Sequence, residues 1–189
     1  MEVAMAPRVL IPLAEGSEEL EAITISDLLR RAEVEVVVAG LTEGPIRCSR
    51  GTVIIPDATL EAVKDDHFDL IALPGGLPGA DHLNEDPRVH AVIKRMNAEG
   101  KFTTAICAAP TVLASAGVLK GKKATSFPRF LDQLQAADAE AIAIRGVVHD
   151  GNVITSTGPG TAMDFALKLI EVLCGEERLK QVEAGLQRP

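Results

Sequence analysis

The stretch Thr103-Thr104-Ala105-Ile106-Cys107-Ala108-Ala109-Pro110 decides how the chain is read. Its first four residues are β-branched or small and apolar, which suits a strand covered on both faces. Cys107 ends that run, and Ala108, Ala109 and Ala114 leave room for a tight turn and a closely packed helix. The cysteine is therefore expected at a corner, at the carboxyl edge of a sheet and beside the first amides of a helix. There the macrodipole favours thiolate and lowers the thiol pKa. A free cysteine is also among the residue types most often buried and inert, so its neighbours have to decide between nucleophile and core thiol.

Outward from this corner the chain alternates strands with helices. Arg8 to Leu13 reads as a strand, Ser17 as the N-cap of a helix running to about Arg31, and Glu33 to Ala39 as a second strand, which makes a parallel βαβ unit. Ile46 to Ser49 and Thr52 to Ile55 read as a small hairpin on the sheet edge, and Leu60 to Val63 as a helical turn. Asp69 to Leu73 is the next parallel strand, broken by Pro74-Gly75-Gly76; a loop through Pro78 and Gly79 then leads to a helix near Pro87 to Glu99. Beyond the cysteine come a short strand at Lys123 to Ser126, a helical turn at Phe130 to Gln135 and a hairpin about Asp150-Gly151. Two helices follow, Thr161 to Cys174 and Glu176 to Leu186. The pattern is that of an α/β three-layer sandwich over a mainly parallel sheet, in one domain spanning 1–189. Ligands gather at the carboxyl ends of such strands, where the Glu15 to Glu21 turn, Gly75-Gly76 and Cys107 converge.

Composition narrows the partners. A net charge of -8 and an aromatic content of 3%, with no Trp or Tyr, make nucleic acid an unexpected tight partner and leave few stacking platforms. Three widely spaced cysteines, Cys48, Cys107 and Cys174, offer neither a disulfide framework nor paired zinc spacing, so a reducing, cytoplasmic setting is expected. Residues 1–8 carry no basic segment followed by an apolar one, so no secretory leader is expected. Phe102 to Leu119 is uncharged, but its polar residues, Pro110 and Gly117 suit a strand plus buried helix better than a membrane span. No metal and no cofactor is implied.

Glu18, Glu19 and Glu21 lie in the first helical turns, where acidic residues are commonplace. Glu21 stands apart because it shares a helix face with Ile25 and Leu28 and so points at the core. A carboxyl placed there is pushed toward its neutral form and is able to carry protons for a thiol; Glu18 is the reserve. A glycine pair after a strand is weak evidence by itself, but its placement suggests that the Gly76 and Ala108 amides face one oxygen, with Gly75 alongside. His67, His82, His90 and His149 read as surface residues, Cys48 and Cys174 as structural thiols, and Gly158 to Thr161 as a structural turn.

Taken in order, Glu-Glu-Leu-Glu at 18–21, Leu-Pro-Gly-Gly at 73–76, Ala-Ile-Cys-Ala-Ala-Pro-Thr at 105–111, Thr-Ser-Phe-Pro at 125–128 and Thr-Ser-Thr-Gly-Pro-Gly-Thr at 155–161 resemble the ThiJ/PfpI superfamily. The similarity is greatest to the branch holding the Parkinsonism-associated protein deglycase and the bacterial chaperone YajL. The resemblance implies a flavodoxin-like sandwich, a homodimer, and a cysteine on the strained turn after its strand. By position it makes Cys107 the nucleophile, Glu21 the protonated glutamate beside it, Gly76 and Ala108 the oxyanion-binding amides, and Cys48 and Arg50 neighbours of the dimer contact.

It further implies hydrolysis of early glyoxal and methylglyoxal adducts on protein side chains. The alternatives it carries are glyoxalase action on free glyoxals, and a redox-sensing chaperone whose cysteine is oxidised to sulfinate. Phe127 stands where the animal branch carries histidine, and Thr157 where it carries arginine. Glu21 is then the only evident acid/base group, and a Cys-His protease pair is not expected.

Overall fold

The computed structural model describes residues 6–188. The reading of residues 1–5 as free of a leader lies outside the described residues. Strands β1 (Arg8–Leu13), β2 (Glu35–Gly40), β5 (Ala58–Thr59), β6 (Leu70–Leu73), β7 (Phe102–Ile106), β10 (Val147–Asp150) and β11 (Val153–Ser156) form one sheet in the order β10-β11-β7-β6-β1-β2-β5. Every pair in it is parallel except β10 with β11.

Alternation along the strands sorts side chains between two cores. Leu10, Ile71, Leu73 and Ala105 face the layer of α3 (Gly79–Glu85), α4 (Pro87–Ala98), α5 (Pro110–Ser115) and α6 (Leu131–Ala136). Val9, Ile11, Leu70, Ala72 and Ile106 face α1 (Glu19–Arg31) and α7 (Ala162–Leu186), where Ile25, Leu28, Phe165 and Leu169 meet them. The expected three-layer, flavodoxin-like sandwich is thus the observed one.

The chain runs from β1 outward to β2 and β5, then returns to place β6 on the opposite side of β1. That reversal leaves a crevice at the carboxyl ends of β1 and β6, where the two halves of the sheet diverge. The loops after β1, β6 and β7 all open there.

Several local expectations change. Ser17 is not the helix cap: Glu18 takes that position with no side-chain cap bond, and the Ser17 hydroxyl instead accepts the Ala14 amide at 3.1 Å, bracing the turn. The hairpin of β3 (Ile46–Arg47) and β4 (Val53–Ile54) forms a sheet of its own, while β5 holds the main edge beside β2. It is tied instead to the loop after β1, through the Gly16 amide to the Arg47 carbonyl and the Ser49 amide to the Ser17 carbonyl, both at 2.9 Å. The chain turns helical at Gly79 rather than continuing as a loop, with Pro78 as the N-cap and Ala80 and Leu83 buried as anchors. α2 (Leu60–Val63) forms as expected, and the strand at Lys123 is shorter, β8 (Lys123–Ala124), paired with β9 (Glu140–Ala141). Gly175, at φ 85° and ψ 170°, breaks α7 where the sequence separates two helices.

Candidate active site

Cys107 is the first residue past β7 and adopts φ 64°, a left-handed backbone that costs a non-glycine residue roughly 1–2 kcal/mol. The surrounding chain holds it there. Its amide donates to the Ser156 carbonyl at 3.0 Å, and its carbonyl accepts the Ser126 hydroxyl at 2.6 Å and the Phe127 amide at 2.8 Å. The ends of β7 and β11 and the segment after β8 therefore clamp both sides of one residue. Its side chain remains partly open to solvent.

Glu21 enters from the first turn of α1 and is fully buried. Its Oε2 accepts the Gly75 amide at 2.7 Å, while Oε1, also buried, finds no oxygen or nitrogen partner. The carboxyl lies beside the Cys107 thiol, close enough for each group to shift the other's proton affinity. Gly75 is the spacer of this contact: a Cβ there would lie 2.7 Å from the Cys107 Cβ, 3.0 Å from the Ala108 amide nitrogen and 3.0 Å from Glu21 Oε2. Gly76, at φ 85°, has no room either, since a Cβ would run into the Glu18 amide. The Gly76 and Ala108 amides both pull the Cys107 thiol pKa down, and the Ala108 amide nitrogen and Cys107 Cβ crowd the same side of Gly75.

The electrostatics correct one expectation. Burial pushes Glu21 up to about 7, against the pull of the Gly75 amide and of the neighbouring Cys107 thiol. Burial and the nearby Glu21 charge push the Cys107 thiol up to about 12, more than the Gly76 and Ala108 amides pull it down. The lowered thiol pKa expected from a helix start gives way to a raised one, because burial and then the Glu21 charge outweigh the loop amides. Glu21 thus gives up its proton near neutrality, while the proton left on the pair stays with the thiol.

The other candidates serve the scaffold. Glu18 accepts the Ser49 hydroxyl at 3.0 Å and lies 3.9 Å from the Arg50 guanidinium. Burial would raise the Glu19 carboxyl, but amides of Glu19 itself, Arg50 and Thr52 hold it down at about 2. Cys48 is buried, and burial with the charges of Glu19 and Glu18 pushes its thiol up to about 11. Thr161 accepts the Gly158 amide at 3.2 Å and meets the Ser156 hydroxyl at 2.7 Å, so that segment is a structural turn. Among the described residues no group of three or more His, Cys, Asp or Glu is placed to hold a metal ion, and no helix is long and apolar enough to cross a membrane.

Sequence reasoning missed Ser126 and Ser156 as supports of Cys107. Ser126 acts through its hydroxyl and Ser156 through its carbonyl, both on the Cys107 main chain from distant segments, which leaves no periodicity to read.

Comparison with known proteins agrees with this geometry. The profile of the DJ-1/PfpI family matches residues 7–172. The crystal structure of Drosophila melanogaster DJ-1beta superposes with a TM-score of 0.94 at 45% identity, covering 98% of this chain and all of that one. The Parkinson disease protein 7 homolog of Danio rerio is 44% identical, over 95% of this chain and 96% of its own length. The glutathione-independent glyoxalase DJR-1.2 of Caenorhabditis elegans is 38% identical, over 90% of this chain and 89% of its own.

Proposed function

The chain belongs to the DJ-1/PfpI family, and from that premise we propose that it is a cofactor-free, cysteine-dependent enzyme of carbonyl-stress protection. It acts on the aldehyde carbon of glyoxal or methylglyoxal, free or carried as an early adduct on a protein side chain. The observation that carries this reading is the buried Glu21 carboxyl, held by the Gly75 amide beside a strained, partly open Cys107. The relative named as a glutathione-independent glyoxalase supports it.

Glu21, poised near neutrality, is suited to general acid and base work. As the sulfur bonds to the aldehyde carbon, Glu21 takes the thiol proton and passes it to the new alkoxide, which the Gly76 and Ala108 amides stabilise. Glu21 then removes the proton on that carbon and returns it to the adjacent carbon. The first carbon becomes a thioester as the second is reduced to an alcohol, with no external oxidant. Water cleaves the C–S bond, the thiol regains its proton, and a 2-hydroxy acid leaves. For an early adduct, whose former aldehyde carbon is saturated, the sulfur displaces the side-chain heteroatom, which leaves with the proton Glu21 took from the thiol, and the Cys107 hemithioacetal so formed follows the same path.

The test is chiral analysis of lactate formed from methylglyoxal, run beside release of an adduct from a glycated peptide. Loss of both activities in Cys107→Ala is expected; lactate formation unaffected by that change defeats the reading. A redox role for the same thiol is favoured by one further feature, the unpartnered Glu21 Oε1. When protonated, that oxygen would donate to a sulfinate formed by peroxide at Cys107.

The assembly we propose is a homodimer in the cytoplasm, each copy a single domain spanning 1–189. Leu20, Ile23, Val53 and Ile55 stay 48%, 47%, 49% and 78% exposed, and the last three line a groove between α1 and β4. A second copy seated there would cover them.

A further inference from the structure

We infer that Phe127 makes this site selective for 2-oxoaldehydes whose second carbonyl bears an aromatic or large apolar group, an inference that rests on the glyoxal chemistry proposed above. Three observations lead to it. The Phe127 amide donates to the Cys107 carbonyl, so this residue is held one hydrogen bond from the nucleophile's own backbone. Its ring is nonetheless 41% exposed, whereas Phe68 and Phe165 are sealed in the cores. The ring is also anchored: a Cβ at Gly158 would stand 3.4 Å from Phe127 Cδ2, so the aromatic edge lies against the bare main chain just past β11. An exposed aromatic ring at the sheet edge that carries the thiol offers a wall for a flat apolar group.

The rest of the wall is consistent with this. Thr157, at the other departure from the resembled pattern, is buried, and its hydroxyl accepts the Gly146 amide at 3.3 Å, so it presents no charge. Leu77, next to the Gly75-Gly76 turn, is 39% exposed. The small polar end of a substrate meets Glu21 and the amides of Gly76 and Ala108, and the group beyond its second carbonyl meets carbon. Discrimination of this kind between apolar groups of different size is worth on the order of tenfold or more.

The experiment compares kcat/KM for phenylglyoxal and methylglyoxal in the wild type, Phe127→Ala and Phe127→Leu. A second readout is Cys107 alkylation by N-phenylmaleimide against N-methylmaleimide, mapped to its peptide and normalised to free glutathione. Ratios within one protein cancel any change in the folded fraction. We expect the wild type to favour the phenyl compound by about tenfold in both assays, with Phe127→Ala losing most of that preference and Phe127→Leu keeping part of it. Equal ratios in the wild type and Phe127→Ala overturn the inference. Should no variant turn over either glyoxal, the glyoxal chemistry fails, and the maleimide ratios alone decide whether Phe127 selects aromatic groups.

Discussion

The Gly75 amide donates to Glu21 Oε2 at 2.7 Å, while the Glu18 amide, on the same helix start as Glu21, donates back to the Gly75 carbonyl at 2.9 Å. This reciprocal pair joins the loop after β6 to the first turn of α1. It places a buried carboxyl against the Cys107 thiol.

The Glu21 proton should be visible in reactivity. As Glu21 ionises near pH 7 it becomes a base for the thiol, so the rate of Cys107 alkylation by iodoacetamide should rise through that pH. In Glu21→Gln the inflection near pH 7 should vanish. The thiol itself should then titrate below about 12, because the neighbouring negative charge is gone. A wild-type thiol titrating at the ordinary value of about 8.5 would contradict this account.

Glu21 should also weaken the fold at alkaline pH. Its folded pKa of about 7 exceeds the ordinary 4.5. Below about 4.5 the carboxyl is protonated in both states and nothing is lost; as pH rises toward 7 the unfolded chain releases the proton first, and stability falls. The loss amounts to about 3 kcal/mol above pH 7. Glu21→Gln should therefore be more stable than the wild type in urea at pH 8 and equal to it at pH 4. Equal midpoints at both pH values would refute the burial cost.

Backbone strain at Cys107 should be separable from its chemistry. Glycine adopts φ 64° freely, so Cys107→Gly should be more stable than Cys107→Ala by about 1 kcal/mol. Both should lack activity. Urea denaturation of the two variants provides the comparison.

Gly75→Ala should damage the site more than the fold. The added methyl meets Cys107 Cβ, the Ala108 amide and Glu21 Oε2, none of which is the loose end of a flexible chain. We expect a loss of about 1–3 kcal/mol in stability and about a hundredfold in kcat. Denaturation and lactate formation measured on one preparation would show whether the two effects separate.

Much of this protein is legible in its residues alone. The apolar run ending at Cys107, the glycine pair after Leu73 and the helical spacing of Glu21 with Ile25 and Leu28 depend on local periodicity, and periodicity assigns each residue its element and its face. Those features placed Cys107, Glu21, Gly75 and Gly76 at one end of a parallel sheet, where the structure brings them together. Local rules reached the hairpin of β3 and β4 but not its place: Gly16 and Ser49 tie it to the loop after β1, and β5 holds the sheet edge. Nor did they reach the clamp on Cys107 from Ser126, Phe127 and Ser156. The sign of the thiol shift likewise belongs to tertiary structure alone: it is a balance of burial, one distant carboxyl and two loop amides, and such a sum depends on distances between segments that sequence spacing does not contain.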